Sequence, residues 1–162
     1  MNRLRVYVDT SVFGGCFDEE FEEASRRLFD AVSAGETIMP LFSETLAREL
    51  EGAPEEVCGL FRKACEGEWE QIEVSAEAVR LARAYVAGGV LAETYADDAL
   101  HVALATLARA DVIVSWNFRH LVNPVRIRAF GGVNVAHGYG PVVILTPADI
   151  VALLEGQDES EA

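Results

Sequence analysis

Two periodicities alternate along this chain, one in which apolar residues run as short buried stretches and one in which they recur every three to four positions. Residues 4–8, Leu-Arg-Val-Tyr-Val, are rich in β-formers and predict a short buried strand. Phe21 to Ala34 places Phe21, Ala24, Leu28, Phe29 and Val32 at helical spacing. The acids from Asp18 to Glu23 stand at the end of that helix where its dipole favours negative charge, and Gly35 closes it. Thr37 to Phe42 predicts a second strand broken by Pro40. Ser43 is placed to cap a helix through Leu50, Glu51–Pro54 interrupts, and Pro54 opens a helix from Glu55 to Glu66. A strand at Gln71–Val74 follows, then a helix at Ala76–Ala87 stopped by Gly88-Gly89. Asp97 to Ala110 predicts a helix and Asp111–Ser115 a strand. Val125–Phe130 is helical in pattern, Val142–Leu145 a last strand, and Pro147–Leu154 a last helix. The acidic segment 156–162 is expected to fray. Strands separated by helices imply a parallel sheet covered on both faces, so residues 1–155 read as one α/β domain.

Composition narrows the class. Apolar residues make up 51% of the 162, enough to build a core and too many for a disordered chain. No apolar stretch approaches the roughly 20 residues that span a bilayer, and Asp9 cuts the N-terminal apolar run too early for a secretory signal. Cys16, Cys58 and Cys65 are odd in number and contain no Cys-x-x-Cys pair, which speaks against a disulfide framework or a zinc cage and for buried free thiols in a cytoplasmic protein.

Charge changes the picture in a local way. The net charge of −14 disfavours non-specific binding to a polyanion. Yet Val112–Ala148 contains no Asp or Glu, while Arg119, His120, Arg126, Arg128 and His137 fall inside it. Two readings stay open: a face kept compatible with an anion, or a buried strand and a Gly-rich loop that happen to lack acids.

Candidate chemistry sits where strands end. Ligands of open parallel sheets bind outside the carboxyl ends of the strands, and Asp9 stands at that end of the first strand. The strand Val112–Val114 likewise runs into Ser115-Trp116-Asn117. Asp97 and Asp98 open the next helix; one would serve as an N-cap, and Asp98 shares the inward face with Val102. Glu49, in "LARELEGAP", is the remaining acid. Were Asp9, Glu49 and Asp98 to converge, their repulsion would call for a cation. Oxygen ligands suit Mg2+ or Mn2+, which bind phosphates and activate water. No Gly-x-Gly-x-x-Gly or Walker loop is present. Haloacid-dehalogenase-like phosphatases and receiver domains fit poorly: Ser11 stands where the former place an acid, and the single lysine, Lys63, lies outside the strand ends.

"VYVDTSVFGG", "LARELEGAP" and "YADDALHVALATLARADVIVSWNFRHLVN" together resemble the PIN-domain ribonucleases, in particular VapC-like toxins of toxin–antitoxin pairs, over about residues 4–154. The resemblance implies a three-layer α/β/α domain with a central parallel sheet of four to five strands. It implies a metal-dependent endoribonuclease using Mg2+ or Mn2+, with Asp9, Glu49 and Asp98 as the catalytic and metal-holding acids and Ser11 as a supporting hydroxyl. Glu44, at the start of its helix, is the alternative to Glu49. The position of the family's frequent fourth acid is Asn117, which brings no charge; Asn117 and Asp97 are the lesser metal candidates. His101 is expected as a packed or supporting residue, and Arg119 and His120 as contacts to RNA. An antitoxin partner and a homodimer are further implications. A PIN-like domain without catalysis, serving binding or assembly, is the competing reading, motivated by Asn117 and the acidic composition.

Overall fold

The computed structural model describes residues 2–161, with side chains through residue 156. In chain order it contains β1 (Leu4–Val8), α1 (Thr10–Gly15), α2 (Glu22–Ala34), β2 (Ile38–Ser43), α3 (Glu44–Glu51), α4 (Glu55–Ala64), β3 (Glu70–Ile72), α5 (Ala76–Ala87), a 3-10 turn at Glu93–Tyr95, α6 (Ala96–Leu107), β4 (Val112–Val114), α7 (Pro124–Ala136), β5 (Ile144–Leu145) and α8 (Pro147–Glu161). The five strands form one sheet in the order β3-β2-β1-β4-β5. Every pairing is parallel, with Val6 opposite Pro40 and Val112, and Val8 opposite Val114. The chain thus builds outward from β1 in one direction and then in the other. β1 and β4 lie at the point where strand order reverses, and a crevice opens at such a point beyond the strand ends.

Alternation along β1 distributes its side chains between two cores. Val6 and Val8 join Val12, Phe13, Leu28, Phe42 and Leu46 on one face of the sheet. Tyr7 joins Leu41, Leu81, Tyr85, Val102, Leu104 and Phe130 on the other. Both faces are therefore covered by helices, which gives three layers, as the strand–helix alternation predicts. Among the described residues no helix is long and apolar enough to cross a membrane.

Several details depart from the sequence pattern. Residues 10–15, to which the pattern assigns no element, form α1, which sinks Val12, Phe13 and Gly15 beneath the rim. β2 runs through Pro40 without a break. Its pairing with β3 begins one residue later, at Leu41 opposite Glu70, so Pro40 has an unpaired side, where proline is tolerated. α7 extends well past Phe130, through Gly131-Gly132. Each glycine costs about 1 kcal/mol of helix propensity, and buried anchors on both sides offset it. Phe130 packs edge-on to Tyr85 with ring centroids 4.9 Å apart. Asn134 accepts from the Tyr85 hydroxyl and donates to Thr106 Oγ1 and the Gly140 carbonyl. α8 continues helical through Glu161, across most of the segment expected to fray. Ala162 lies outside the described residues.

α1 is held by aromatic packing. Phe13 is fully buried and its ring centroid lies 4.8 Å from Phe29, 5.8 Å from Phe42 and 5.5 Å from Phe61. One side chain thus ties α1 to α2, β2 and α4. Phe13→Ala is expected to lower stability by about 3–5 kcal/mol, read as a fall in the urea unfolding midpoint at unchanged m-value.

Candidate active site

Asp9 follows β1 and occupies the N-cap position of α1, yet its side chain makes no capping bond. It turns instead toward β4. Its Oδ2 accepts from Ser11 Oγ and Ser115 Oγ, each at 2.7 Å. The same two hydroxyls receive the backbone N–H groups of Trp116 and Asn117, each at 2.9 Å. The carboxylate is only 5% exposed, so these donors are what makes its burial tolerable. Its second oxygen, Oδ1, lies 3.9 Å from His101 Nε2.

His101 rises from α6 into the space between Asp9 and Glu49 and is 1% exposed. Its Nε2 lies 2.8 Å from Glu49 Oε1 and its Nδ1 lies 2.7 Å from the Tyr7 hydroxyl. In the charged ring Nδ1–H donates to the Tyr7 oxygen and Nε2–H to the Glu49 carboxylate, while Tyr7 donates to Ser43 Oγ at 2.9 Å. Both ring nitrogens then carry protons. Burial opposes that charge, but the bond to Glu49 and the charges of Asp9, Glu49 and Asp98 outweigh it and raise the His101 pKa above the ordinary value. The same contact works on Glu49. Burial pushes its pKa up, while the His101 bond and charge, with the hydroxyl of Thr10 on Oε2, bring it below the usual range.

Asp98 lies in the first turn of α6 and faces the crevice. Burial, then the charge of Asp9, raises its pKa, with the His120 bond and the His120 and His101 charges opposing. His120 Nδ1 lies 3.0 Å from Asp98 Oδ2 and Asn117 Nδ2 lies 3.4 Å from the same oxygen. Asn117 Oδ1 accepts the His120 backbone N–H at 3.0 Å.

The crevice therefore gathers Asp9, Ser11, Glu49, Asp98 and Asn117, linked through His101 and His120. Glu49, not Glu44, is the acid of α3 that enters this network. Asp97 does not join it. It is exposed and lines a groove between α5 and α6 with Arg83, Glu93 and Leu100, one helical step of 100° away from Asp98. Neither acid caps α6, whose N-cap is Tyr95 without a side-chain bond. His120, expected as an RNA contact, is buried against Asp98, and Arg119 beside it is exposed. Thr10, Tyr7 and Ser115 carry functions that the sequence reading did not assign. The signal for Tyr7 was present: a phenol buried between valines needs a polar partner.

The donor set bears on a metal. Among the described residues no three His, Cys, Asp or Glu side chains stand close enough to cage one. Asp9 and Asp98 fit a hard cation that keeps most of its waters and takes one or two carboxylates. Their mutual repulsion is the charge such a cation neutralises. Glu49 and Asn117 are committed to other bonds and stand behind that pair.

No protein-family model and no curated protein matches the sequence. Among solved structures, the chain matches VapBC2 from Rickettsia felis bound to a DNA fragment from their promoter, with a TM-score of 0.58 and 11% identity. The match covers 88% of this chain and 98% of that one. The chain has the α/β/α fold of a PIN domain. The likeness to that structure is one of fold.

The His101–Glu49 pair has a definite pH window. His101, raised above 6.5 in the fold, stabilises fully below that value and loses its contribution as pH rises through its folded pKa. Glu49, lowered from 4.5, contributes above that value and loses it as pH falls through its folded pKa. In metal-free buffer, the gap in urea midpoint between wild type and Glu49→Gln is expected to be widest between pH 4.5 and 6.5. A gap that stays constant to pH 9 would show that His101 is not charged in the fold.

Proposed function

We propose that the protein is a metal-dependent endoribonuclease, the toxin of a toxin–antitoxin pair. The observation that carries this reading is the pairing of Asp9 and Asp98 across the switch-point crevice, with each acid anchored and, among the described residues, no arginine or lysine in contact with either. Asp9 and Asp98 would hold Mg2+ or Mn2+. The chemistry supplied by that ion is stabilisation of charge developing on a phosphodiester and a lowered pKa for an attacking water. The chain's own part is to fix the geometry. Ser11 and Ser115 orient Asp9. Asn117 and His120 orient Asp98. Glu49, held by His101 and Thr10, supports the site from behind the two aspartates, and Arg119 meets the RNA backbone.

The partner side follows from charge. A chain at −14 is poorly suited to contact DNA, so an antitoxin would carry any promoter contacts, as befits the DNA-bound composition of the Rickettsia felis complex. Homodimerisation belongs to the same proposal.

A second reading, a PIN-like domain that binds without cleaving, is favoured by Asn117 in the fourth acidic position and by Glu49's engagement with His101. Calorimetry with Mn2+ separates the two. The nuclease reading expects binding that Asp98→Ala abolishes and Glu49→Gln weakens by about 10- to 100-fold, as a supporting partner does. It also expects Mn2+-dependent cleavage of single-stranded or structured RNA, reduced at least about 100-fold by Asp9→Asn. Wild-type protein that neither binds Mn2+ nor cleaves any RNA would sink it.

A further inference from the structure

Fourteen aromatic residues occur in the chain, eight Phe, four Tyr and two Trp; six are buried and five half-buried. Among the described residues three are exposed: Phe118 at 50%, Phe17 at 39% and Tyr95 at 37%. Phe118 and Tyr95 each stand beside a residue that is bonded into the site. Phe118 lies against Trp116 and Phe21, with centroids 6.1 and 6.2 Å away, and those two rings stack at 4.2 Å and 21°. Trp116 is bound to the site through its backbone N–H on Ser11 Oγ, and Ser11 Oγ donates to Asp9. Its indole is locked by a 2.8 Å bond from Nε1 to Ser25 Oγ. The space is exact enough that a Cβ on Gly15 would come within 2.6 Å of Ser25 Oγ and 2.7 Å of Nε1. Phe17 follows α1 and carries the Arg26 guanidinium 5.2 Å above its ring. On the other side of the crevice, Tyr95 covers His120, with centroids 3.9 Å apart, and His120 bonds Asp98. An aromatic ring therefore stands one residue removed from each of the two central acids.

We infer that these rings are a stacking platform for unpaired bases, and that Phe118 and Tyr95 seat the nucleotides on either side of the Asp9–Asp98 crevice, where a cation would meet the intervening phosphate. This rests on the nuclease reading for the position of the phosphate, and it names that site's substrate as single-stranded RNA. Three observations favour nucleic acid as the occupant. The platform is pre-formed: Trp116 is fixed by two hydrogen bonds, so little ordering is needed on binding. Trp116, Phe118 and Arg119 lie inside Val112–Ala148, a stretch that contains no Asp or Glu of its own. Arg119 is exposed beside Phe118, and Arg26 lies over Phe17 while also pairing with Glu22. In so acidic a chain, affinity must come from base faces more than from counterion release, and every base has such a face.

The test uses the full chain in EDTA, with a fluorescein-labelled ten-nucleotide oligouridylate, an abasic ten-mer and a ten-base-pair RNA duplex as probes. Expected results are quenching of tryptophan fluorescence by the oligouridylate, and binding about tenfold or more weaker for Phe118→Ala and for Tyr95→Ala. Phe118→Trp and Tyr95→Phe retain it. The abasic strand and the duplex bind less well than the oligouridylate. The slope of log K against log salt is no steeper than about −1.4, two phosphates at about −0.7 each. Equal binding of the abasic strand, or unchanged affinity in Phe118→Ala and Tyr95→Ala, would overturn the platform, as would no binding by the wild type. A fall in mass from dimer to monomer on Phe118→Ala, seen by light scattering, would also overturn it by making the patch an interface between copies. Because no metal is present, failure of cleavage leaves these outcomes intact. Stacking without cleavage would remove the nuclease and keep an RNA-binding rim.

Discussion

A carboxylate at the buried end of a parallel strand has few places to find donors, since its own strand is committed to the ladder. Asp9 finds them on the neighbouring strand and the following helix, where Ser115 and Ser11 each supply a hydroxyl to Oδ2. The consequence reaches beyond one side chain. These hydroxyls also accept the N–H groups of Trp116 and Asn117, so the bonds that satisfy Asp9 set the path of the chain after β4. That path carries His120 to Asp98 and Trp116 to Ser25. Removing the acid would leave two buried hydroxyls and a loop without its anchor.

The second organising feature is the source of positive charge. The crevice holds three carboxylates and is served by two histidines. His101 is buried with both ring nitrogens engaged. It supplies to Asp9 and Glu49 the compensation that an arginine would give elsewhere. Histidine is suited to this because it releases its proton within reach of neutral pH. A permanent guanidinium would compete with any incoming cation over the whole pH range, whereas an imidazolium can leave the competition by losing a proton.

Ser43 shows how one small residue joins fold and site. Its hydroxyl caps α3, accepting the Leu46 N–H at 3.1 Å, and also accepts the Tyr7 proton. The start of the helix that presents Glu49 is thereby coupled to the phenol that orients His101. On the far side of the crevice, Asn117 plays a comparable part for Asp98, and its carbonyl oxygen fixes His120. An Asp there would add charge but lose the amide donor that reaches Asp98.

Much of the architecture was legible without coordinates because it depends on local periodicity. The alternation of strand and helix patterns required a covered parallel sheet, and the valine and tyrosine of β1 divided themselves between two cores by the twofold period of a strand. Ser43 as a cap and Asp98 on the inward face of α6 follow from similar short-range reasoning. What escaped was decided by contacts across long sequence separations. α1 forms because Phe13 is surrounded by rings from α2, β2 and α4, and α7 crosses two glycines because Phe130 and Asn134 are anchored on other elements. Asp97 and Asp98 are indistinguishable as neighbours in sequence, and only the docking of α6 on the sheet turns one to the crevice and the other to the α5 groove. The sequence by itself determined the fold class and which acids stand at strand and helix ends, since these follow from spacing along one element. The tertiary structure alone decided which oxygens meet which donors, because a hydrogen bond at 2.7 Å joins residues more than a hundred positions apart as readily as near neighbours.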